Sequence, residues 1–133
     1  MDEQVSILDI NVEEVEELQT IPDGEEVLLE IIKAEVRNSA KGLPMLVIQL
    51  GATELQNTKS IFEYMVLPHA YEDDIEKKAA AGRKLKRFCQ AFNLPMDSLN
   101  LEAIVGETGY AIVKAEEYEG ETNNKVRKYI ARR

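Results

Sequence analysis

Positive charge and flat side chains occur together near the end of the chain, in and beside the stretch EEYEGETNNKVRKYI (residues 116–130). Short alternating runs on either side of its centre predict two antiparallel strands. The six residues EGETNN predict the turn between them, because Gly and Asn tolerate positive φ. Such a hairpin presents ammonium and guanidinium groups beside tyrosine rings, which suits an anion that also has flat faces. The residues that could make these contacts are Lys114, Tyr118, Lys125, Arg127 and Lys128.

Side chains alternate between the two faces of a strand, so the sequence also predicts which residues share a face. In the returning strand of the hairpin, alternation places Lys125 and Arg127 on the side of Tyr129. It places Lys128 on the opposite side, among apolar residues. The sequence therefore predicts that at least one of these cations points away from any ligand of the others.

The run IFEYMVLP (residues 61–68) predicts another strand, with Phe62, Tyr64 and Val66 on one face. The other face is a plausible core face apart from one acid, Glu63, which is out of place there. We interpret Phe62 as a core residue, because phenylalanine is usually buried. Tyr64 is a candidate contact, because a phenol can lie half-buried with its hydroxyl group in water.

The acidic residues are unevenly distributed. The chain has a formal net charge of −9, yet residues 1–32 hold eleven of its 25 acids and none of its 16 bases. Residues 33–133 therefore contain 16 bases against 14 acids. We interpret residues 1–21 as an acidic arm and residues 22–133 as one domain. The arm is either a solvated segment, a docking segment for a partner protein, or a competitor for the basic surface.

The order of the predicted elements narrows the fold. Strands are predicted at VLLEIIKAEVR, MLVIQLGA and IFEYMVLP, followed by a helix within residues 71–94, a short helical segment at 96–106 and the final hairpin. The second half of the first strand alternates, with Ile32, Ala34 and Val36 predicted inward and Lys33, Glu35 and Arg37 outward. The order β-β-β-α-β-β, mostly β with one main helix between strands 3 and 4, is that of a five-stranded OB-fold-like barrel. The alternative is an open α+β sheet with the helix packed across one face.

Few residues could support catalysis or bind a metal. The single His69 and the single Cys89 have no second His or Cys with which to complete a metal site, and one Cys excludes an intrachain disulfide. The acids of YEDDIE are typical of a first helical turn and need no metal. No stretch approaches the roughly 20 apolar residues of a membrane span. We therefore expect a cytoplasmic protein that is not an enzyme, with no cofactor, no metal and no membrane contact.

An ordered series of segments carries a resemblance to a known family: an acidic opening, IPDGEEVLLEIIKAEVRNSAKGLPMLVIQL, KLKRFCQAFNL and LEAIVGETGYAIVKAEEYEGETNNKVRKYI. The chain resembles small phage-encoded single-stranded-DNA-binding proteins of the OB-fold type over nearly its whole length, from Ile21 to Ile130. The resemblance implies binding of single-stranded DNA, with RNA left open, in phage DNA replication or recombination. It also implies that catalysis is absent and that the compartment is the bacterial host cytoplasm. Replication or recombination proteins are expected partners of residues 1–20.

In an OB-fold, the ligand crosses strands 2 and 3 between the loops that join strands 1 to 2 and strands 4 to 5. This placement adds Arg37 and Lys41 near the first loop and Lys59 before strand 3, beside Tyr64 and the hairpin residues. The chain has no Trp, so stacking would fall to Tyr and Phe. The alternative function is a non-enzymatic protein-interaction module that docks through the acidic arm. Such a module needs no exposed ring beside exposed cations.

Overall fold

Five antiparallel strands form one sheet, and a long helix separates the third strand from the fourth. The computed structural model describes residues 16–132. Its elements are β1 (Glu26–Asn38), β2 (Pro44–Ala52), β3 (Ile61–Val66), a single turn of 3-10 helix (Pro68–Ala70), α1 (Ile75–Phe92), β4 (Thr108–Tyr118) and β5 (Glu121–Tyr129). The predicted order β-β-β-α-β-β and the mostly β class are confirmed.

The strands lie in the order β3-β2-β1-β4-β5, which leaves β3 and β5 at the two edges of the sheet. Side chains nevertheless join these edges. The Nζ of Lys59, just before β3, lies 3.0 Å from the carbonyl oxygen of Thr122 in β5. Within residues 16–132 no backbone ladder pairs β3 with β5, so the sheet is open in its hydrogen bonding and the predicted closed barrel is not confirmed.

The core lies between the sheet and the second half of α1. The buried helix residues are Phe88, Cys89, Ala91 and Phe92. The ring centroids of Phe88 and Phe92 lie 5.6 and 6.2 Å from that of Tyr129 in β5. The helix approaches β4 so closely that a Cβ atom on Gly109 would lie 2.5 Å from the carbonyl oxygen of Ala91. Apolar side chains of the strands complete this core, among them Leu29, Ile31, Leu46, Ile48, Leu50, Ile61, Met65 and Val113.

The acid on the core face of β3 is matched by polar partners. Glu63 is buried, and one of its carboxylate oxygens accepts a hydrogen bond from the Tyr129 hydroxyl at 2.7 Å. Its other oxygen lies 3.7 Å from the Nζ of Lys84 on α1. Burial, together with the negative charge of Glu63, raises the pKa of Tyr129 well above its ordinary value. The hydroxyl therefore stays protonated and donates to Glu63, which links the two edge strands.

The helix begins and ends at well-defined caps. The side chain of Asp74 accepts a hydrogen bond from the Lys77 backbone N–H at 3.0 Å, and Asn93 ends the helix in a left-handed conformation. The second helical segment predicted at 96–106 is wrong, because these residues form only turns, at 101–106. The Asn100 side chain accepts from two backbone N–H groups there, which stabilises a turn without a continuing helix.

Two bulges interrupt the predicted alternation, one in β1 and one in β5. In β1, Ile32 is an extra residue between the pairs Ile31–Leu50 and Lys33–Gln49, and it is half-exposed rather than inward. Val36, near the end of the same strand, is also half-exposed. Beyond the bulge the predicted faces hold: Ala34 packs against the core, and Lys33 and Arg37 lie on the side of Phe62. A bulge shifts the alternation by one residue, so the faces of the two halves of β1 follow different phases.

In β5 the extra residue is Arg127, because Ile112 pairs with Lys128 and Val113 with Val126. Tyr129 is therefore buried, on the opposite side from Lys125, and Lys128 is exposed instead of apolar-facing. The prediction that alternation groups Lys125 with Tyr129 is wrong. The predicted six-residue turn is wrong as well, because only Glu119 and Gly120, at φ +52° and +80°, lie between the strands.

Candidate nucleic-acid interface

Two aromatic rings lie side by side on the face of β3 that points away from the core. Phe62 is 42% exposed and Tyr64 is 46% exposed. Their Cα atoms are separated by about 7 Å, the distance that two residues span along a strand. The prediction that Phe62 is a core residue is wrong, because Ile61, Glu63 and Met65 occupy the core face of this strand. Phe62 and Tyr64 together form an aromatic pair with open ring surface.

Cations flank the aromatic pair on both sides. The Nζ of Lys125, on β5, lies 5.4 Å from the centroid of the Tyr64 ring, across the gap between the two edge strands. On the other side, Lys33 and Arg37 of β1 line a shallow groove of about 60 Å³ together with Phe62. We call this surface the outer face and define it by Phe62, Tyr64, Lys33, Arg37, Lys125 and, opposite Lys125 in the β4–β5 ladder, Lys114.

The tip of the final hairpin lies close to the start of β3. Tyr118 is 74% exposed and pairs with Glu121 across the two-residue turn. The carboxylate of Glu121 lies 3.3 Å from the Nζ of Lys59, which also reaches the carbonyl oxygen of Thr122. Lys59 thus ties the hairpin to β3, and it is partly buried by these contacts.

Several of the predicted cations are paired with acids of their own surface. Arg37 pairs with Glu35, Lys114 with Glu116 at 2.7 Å, and Arg127 with Asp23 at 3.0 Å. Lys41 lies in the exposed loop between β1 and β2. Within residues 16–132, Lys41, Lys125 and Lys128 make no ion pair. The candidate cations therefore form two groups. Those of the first group are neutralised by a nearby acid, and those of the second are free to attract an anion.

The pKa values of two carboxyl groups reflect these pairs. A hydrogen bond from the Ala115 backbone N–H lowers the pKa of Asp23, and the Arg127 guanidinium lowers it further. A hydrogen bond from the Lys114 ammonium group lowers the pKa of Glu116, helped by the charge of Lys125. Both carboxyl groups are thus anionic counterions at neutral pH.

The buried side-chain amide of Asn124, on the hairpin, forms hydrogen bonds with the backbone at Ile21, the last residue of the predicted arm. The Oδ1 of Asn124 accepts the Ile21 N–H at 2.7 Å, and its Nδ2 donates to the carbonyl oxygens of Ile21 and Lys114 at 2.8 and 3.2 Å. Ile21 itself is buried in the core. The sequence pattern predicts Asn124 in the turn, whereas the residue lies within β5. Asn is depleted in strands and common in turns, so no local signal in the sequence indicates this strand position.

The predicted acidic arm lies mostly outside the described residues, which begin at residue 16. From there the chain runs beside the loop before β3: Gln19 forms a parallel bridge with Thr58, and the Asn57 amide donates to Glu16 at 2.5 Å. The described part of the arm, from residue 16 to Ile21, thus lies beside the loop that precedes β3.

Cys89 and His69, the remaining candidates for chemistry, lie in different surroundings. Cys89 is buried, which raises the pKa of its thiol. His69 lines an open depression of about 540 Å³ with the acids at the start of α1. In residues 16–132 no group of three or more His, Cys, Asp or Glu side chains is arranged to hold a metal ion. The described part of the chain also has no helix with the length and apolarity required to cross a membrane.

No protein-family model and no curated protein matches this chain. Its ligand is therefore inferred from the chemistry of the outer face and of the hairpin.

Proposed function

We propose that the protein binds single-stranded nucleic acid, chiefly DNA, through the outer face and the tip of the final hairpin. The observation that carries this proposal is the exposed pair Phe62 and Tyr64 with Lys125 at 5.4 Å from the Tyr64 ring. Rings of this kind stack on unpaired bases, and neighbouring cations attract the phosphate groups between them.

The spacing of the aromatic pair suits two successive bases. Residues two apart on one face of a strand are separated by about 7 Å, which an extended single strand can match between neighbouring bases. Each stacked base contributes about 1–3 kcal/mol, and stacking accepts every base because every base has a π face. The expected activity is sequence-tolerant binding without catalysis.

The arrangement of the strands supports an OB-fold barrel as the scaffold of this site. In the order β3-β2-β1-β4-β5, pairing of β3 with β5 is the one step that would close the ring. The contacts from Lys59 to Thr122 and from Tyr129 to Glu63 already span these two edges. We propose that the sheet closes along this line and that the outer face is the ligand face of the barrel.

The biological setting follows from the resemblance to phage-encoded single-stranded-DNA-binding proteins. We propose a role in phage DNA replication or recombination, in the cytoplasm of the bacterial host. Residues 1–20 would contact replication or recombination proteins through their acids. Binding of RNA is consistent with the same stacking chemistry and is measured in the same titration as binding of DNA.

One observation favours a second candidate, a protein-interaction module that docks through its acidic arm. Arg37, Lys59, Lys114 and Arg127 are paired with acids of the same surface, which reduces the positive field that an incoming phosphate chain would meet. The first candidate explains the exposed aromatic pair and Lys125, which makes no ion pair within residues 16–132, whereas the second does not. We therefore favour nucleic-acid binding.

Fluorescence anisotropy with labelled oligonucleotides separates these candidates. We expect the protein to bind a mixed-sequence single strand more tightly than the matching duplex at low salt, and the affinity to fall linearly in log–log form as salt rises. A single strand of RNA with the same sequence measures the preference between DNA and RNA. Absence of binding at tens of micromolar protein, on the scale of ordinary non-specific affinities, would contradict the proposal and favour the interaction module.

A further inference from the structure

Two lysines lie directly opposite each other where the hairpin meets the outer face. Lys114 of β4 and Lys125 of β5 form a cross-strand pair, and both side chains are half-buried. Like charges in this position destabilise an antiparallel sheet. One carboxylate offsets them: Glu116, two residues along β4 on the same face, lies 2.7 Å from the Nζ of Lys114. Within residues 16–132, Glu116 is therefore the ion-pair partner of Lys114, while Lys125 acts on the same carboxylate only at longer range.

Glu116 has fewer hydrogen-bond partners than Asp23, the acid that pairs with Arg127. Asp23 accepts both the Arg127 guanidinium and the Ala115 backbone N–H, at 2.9 Å for the latter, so its departure would leave a backbone group unpaired. Within residues 16–132, the Glu116 carboxylate has Lys114 as its one hydrogen-bond donor. Its side chain is 48% exposed. Glu116 can therefore swing into water without breaking a backbone contact.

The Tyr64 ring lies beside this pair, because Lys125 extends over it. A base cannot stack on the ring face that Lys125 covers until the ammonium group moves aside. A phosphate group next to that base would attract Lys125 away from the ring and would meet Lys114 across the ladder. The two lysines and the ring thus match the phosphate and the base of one nucleotide unit.

We propose that Glu116 occupies the place of a nucleic-acid phosphate in the free protein, and that single strands bind by displacing it. Lys114 and Lys125 then share the phosphate, and the attached base stacks on Tyr64. This inference rests on the proposed function and adds a built-in competitor to it. Glu116 neutralises Lys114 in the absence of ligand and weakens binding by the same contact.

The chain offers a matched control in the neighbouring residue. Glu116→Gln and Glu117→Gln each remove one negative charge from the same strand, but Glu117 alternates to the other face, where it pairs with Thr122. Affinity for a labelled single strand is measured at about 0.1 M salt, where the Debye length of about 10 Å screens distant charges. We expect Glu116→Gln to bind about fivefold more tightly, the effect of one unit charge at contact distance in water. Glu117→Gln should change the affinity less than about twofold, since its charge is screened from the phosphate.

A double variant tests whether the gain acts through Lys114. In a Lys114→Met background, Glu116 no longer has its partner, so Glu116→Gln should give no more than the small gain of Glu117→Gln. The inference is overturned if Glu116→Gln and Glu117→Gln tighten binding equally, or if the gain persists in the Lys114→Met background. Either result would leave the proposed function standing, whereas a wild-type protein that binds no single strand would overturn both.

Discussion

The hydrogen bonds of Asn124 are expected to make a large contribution to the stability of the fold. Its side chain is 4% exposed and makes three hydrogen bonds to backbone groups of Ile21 and Lys114. Asn124→Ala removes the side-chain partner of these three groups, and each buried polar group that is left without a partner costs about 1–3 kcal/mol. Because the space left by the amide is roughly that of one water molecule, we expect partial compensation and a loss of about 3–5 kcal/mol.

Thermal unfolding followed by circular dichroism measures this loss. A chain of this size loses about 3–5 °C in Tm per kcal/mol, so Asn124→Ala should melt about 10–20 °C below the wild type. The matched control is Asn123→Ala, the neighbouring exposed residue, whose side chain makes no hydrogen bond within residues 16–132. Its effect should stay within about 0.5 kcal/mol. Equal melting temperatures for the two variants would refute the assignment of Asn124 as the anchor between the hairpin and Ile21.

Three further predictions concern the arm and the hairpin. Removing residues 1–15 deletes five acids but keeps the bridge from Gln19 to Thr58, so single strands should bind more tightly, most clearly at low salt; equal affinity of the full-length and trimmed proteins at every salt concentration would show that the arm does not compete. Arg127→Ala combined with Lys125→Ala should flatten the salt dependence by about one unit of slope for each phosphate group that the variant no longer binds. Tyr118→Ala should weaken binding by about 1–3 kcal/mol with an almost unchanged slope, since stacking releases no counterions; a variant that melts early but binds normally when folded would assign Tyr118 to packing.

The order of elements and the faces of β3 could be predicted because they depend on local patterns. Alternation along IFEYMV separates Ile61 and Met65 from Tyr64 without reference to the rest of the chain. Glu63 is the one charged residue on the otherwise apolar face of this strand, and the sequence gives no reason for it. Its partner Tyr129 lies 66 residues away, so only the fold brings the hydroxyl and the carboxylate together.

The bulges could not be predicted because nothing local marks them. Ile32 and Arg127 are ordinary strand residues, and each becomes an extra residue only through the register of its partner strand. The predicted faces fail at these points, which include the cationic end of β5. The exposure of Phe62 was missed for a different reason. Phenylalanine is usually buried, and this preference was given more weight than the place of Phe62 on the same face as Tyr64.

The sequence indicates which types of residue the candidate site contains. It does not indicate which of the cations are paired with acids. The sequence indicated cations beside Tyr118 and Tyr64, and the structure adds that Lys125 reaches the Tyr64 ring. Pairing of Arg127 with Asp23 joins residues 104 positions apart. Long-range pairs such as this one depend on tertiary structure, and they help to decide which cations remain available to an anion.

The central claim, that the aromatic pair of β3 contacts bases, is tested most directly by a comparison of two tyrosines. Tyr64 and Tyr110 are both 46% exposed on the same sheet, and of these two rings only that of Tyr64 has a lysine over it within residues 16–132. In the anisotropy titration with a labelled single strand, Tyr64→Ala should lower the affinity by about 5- to 150-fold, the range for the removal of one stacked base. Tyr110→Ala should stay within about twofold of the wild type, because no cation lies over its ring to hold a phosphate. A folded Tyr64→Ala protein that binds as tightly as Tyr110→Ala would contradict the claim.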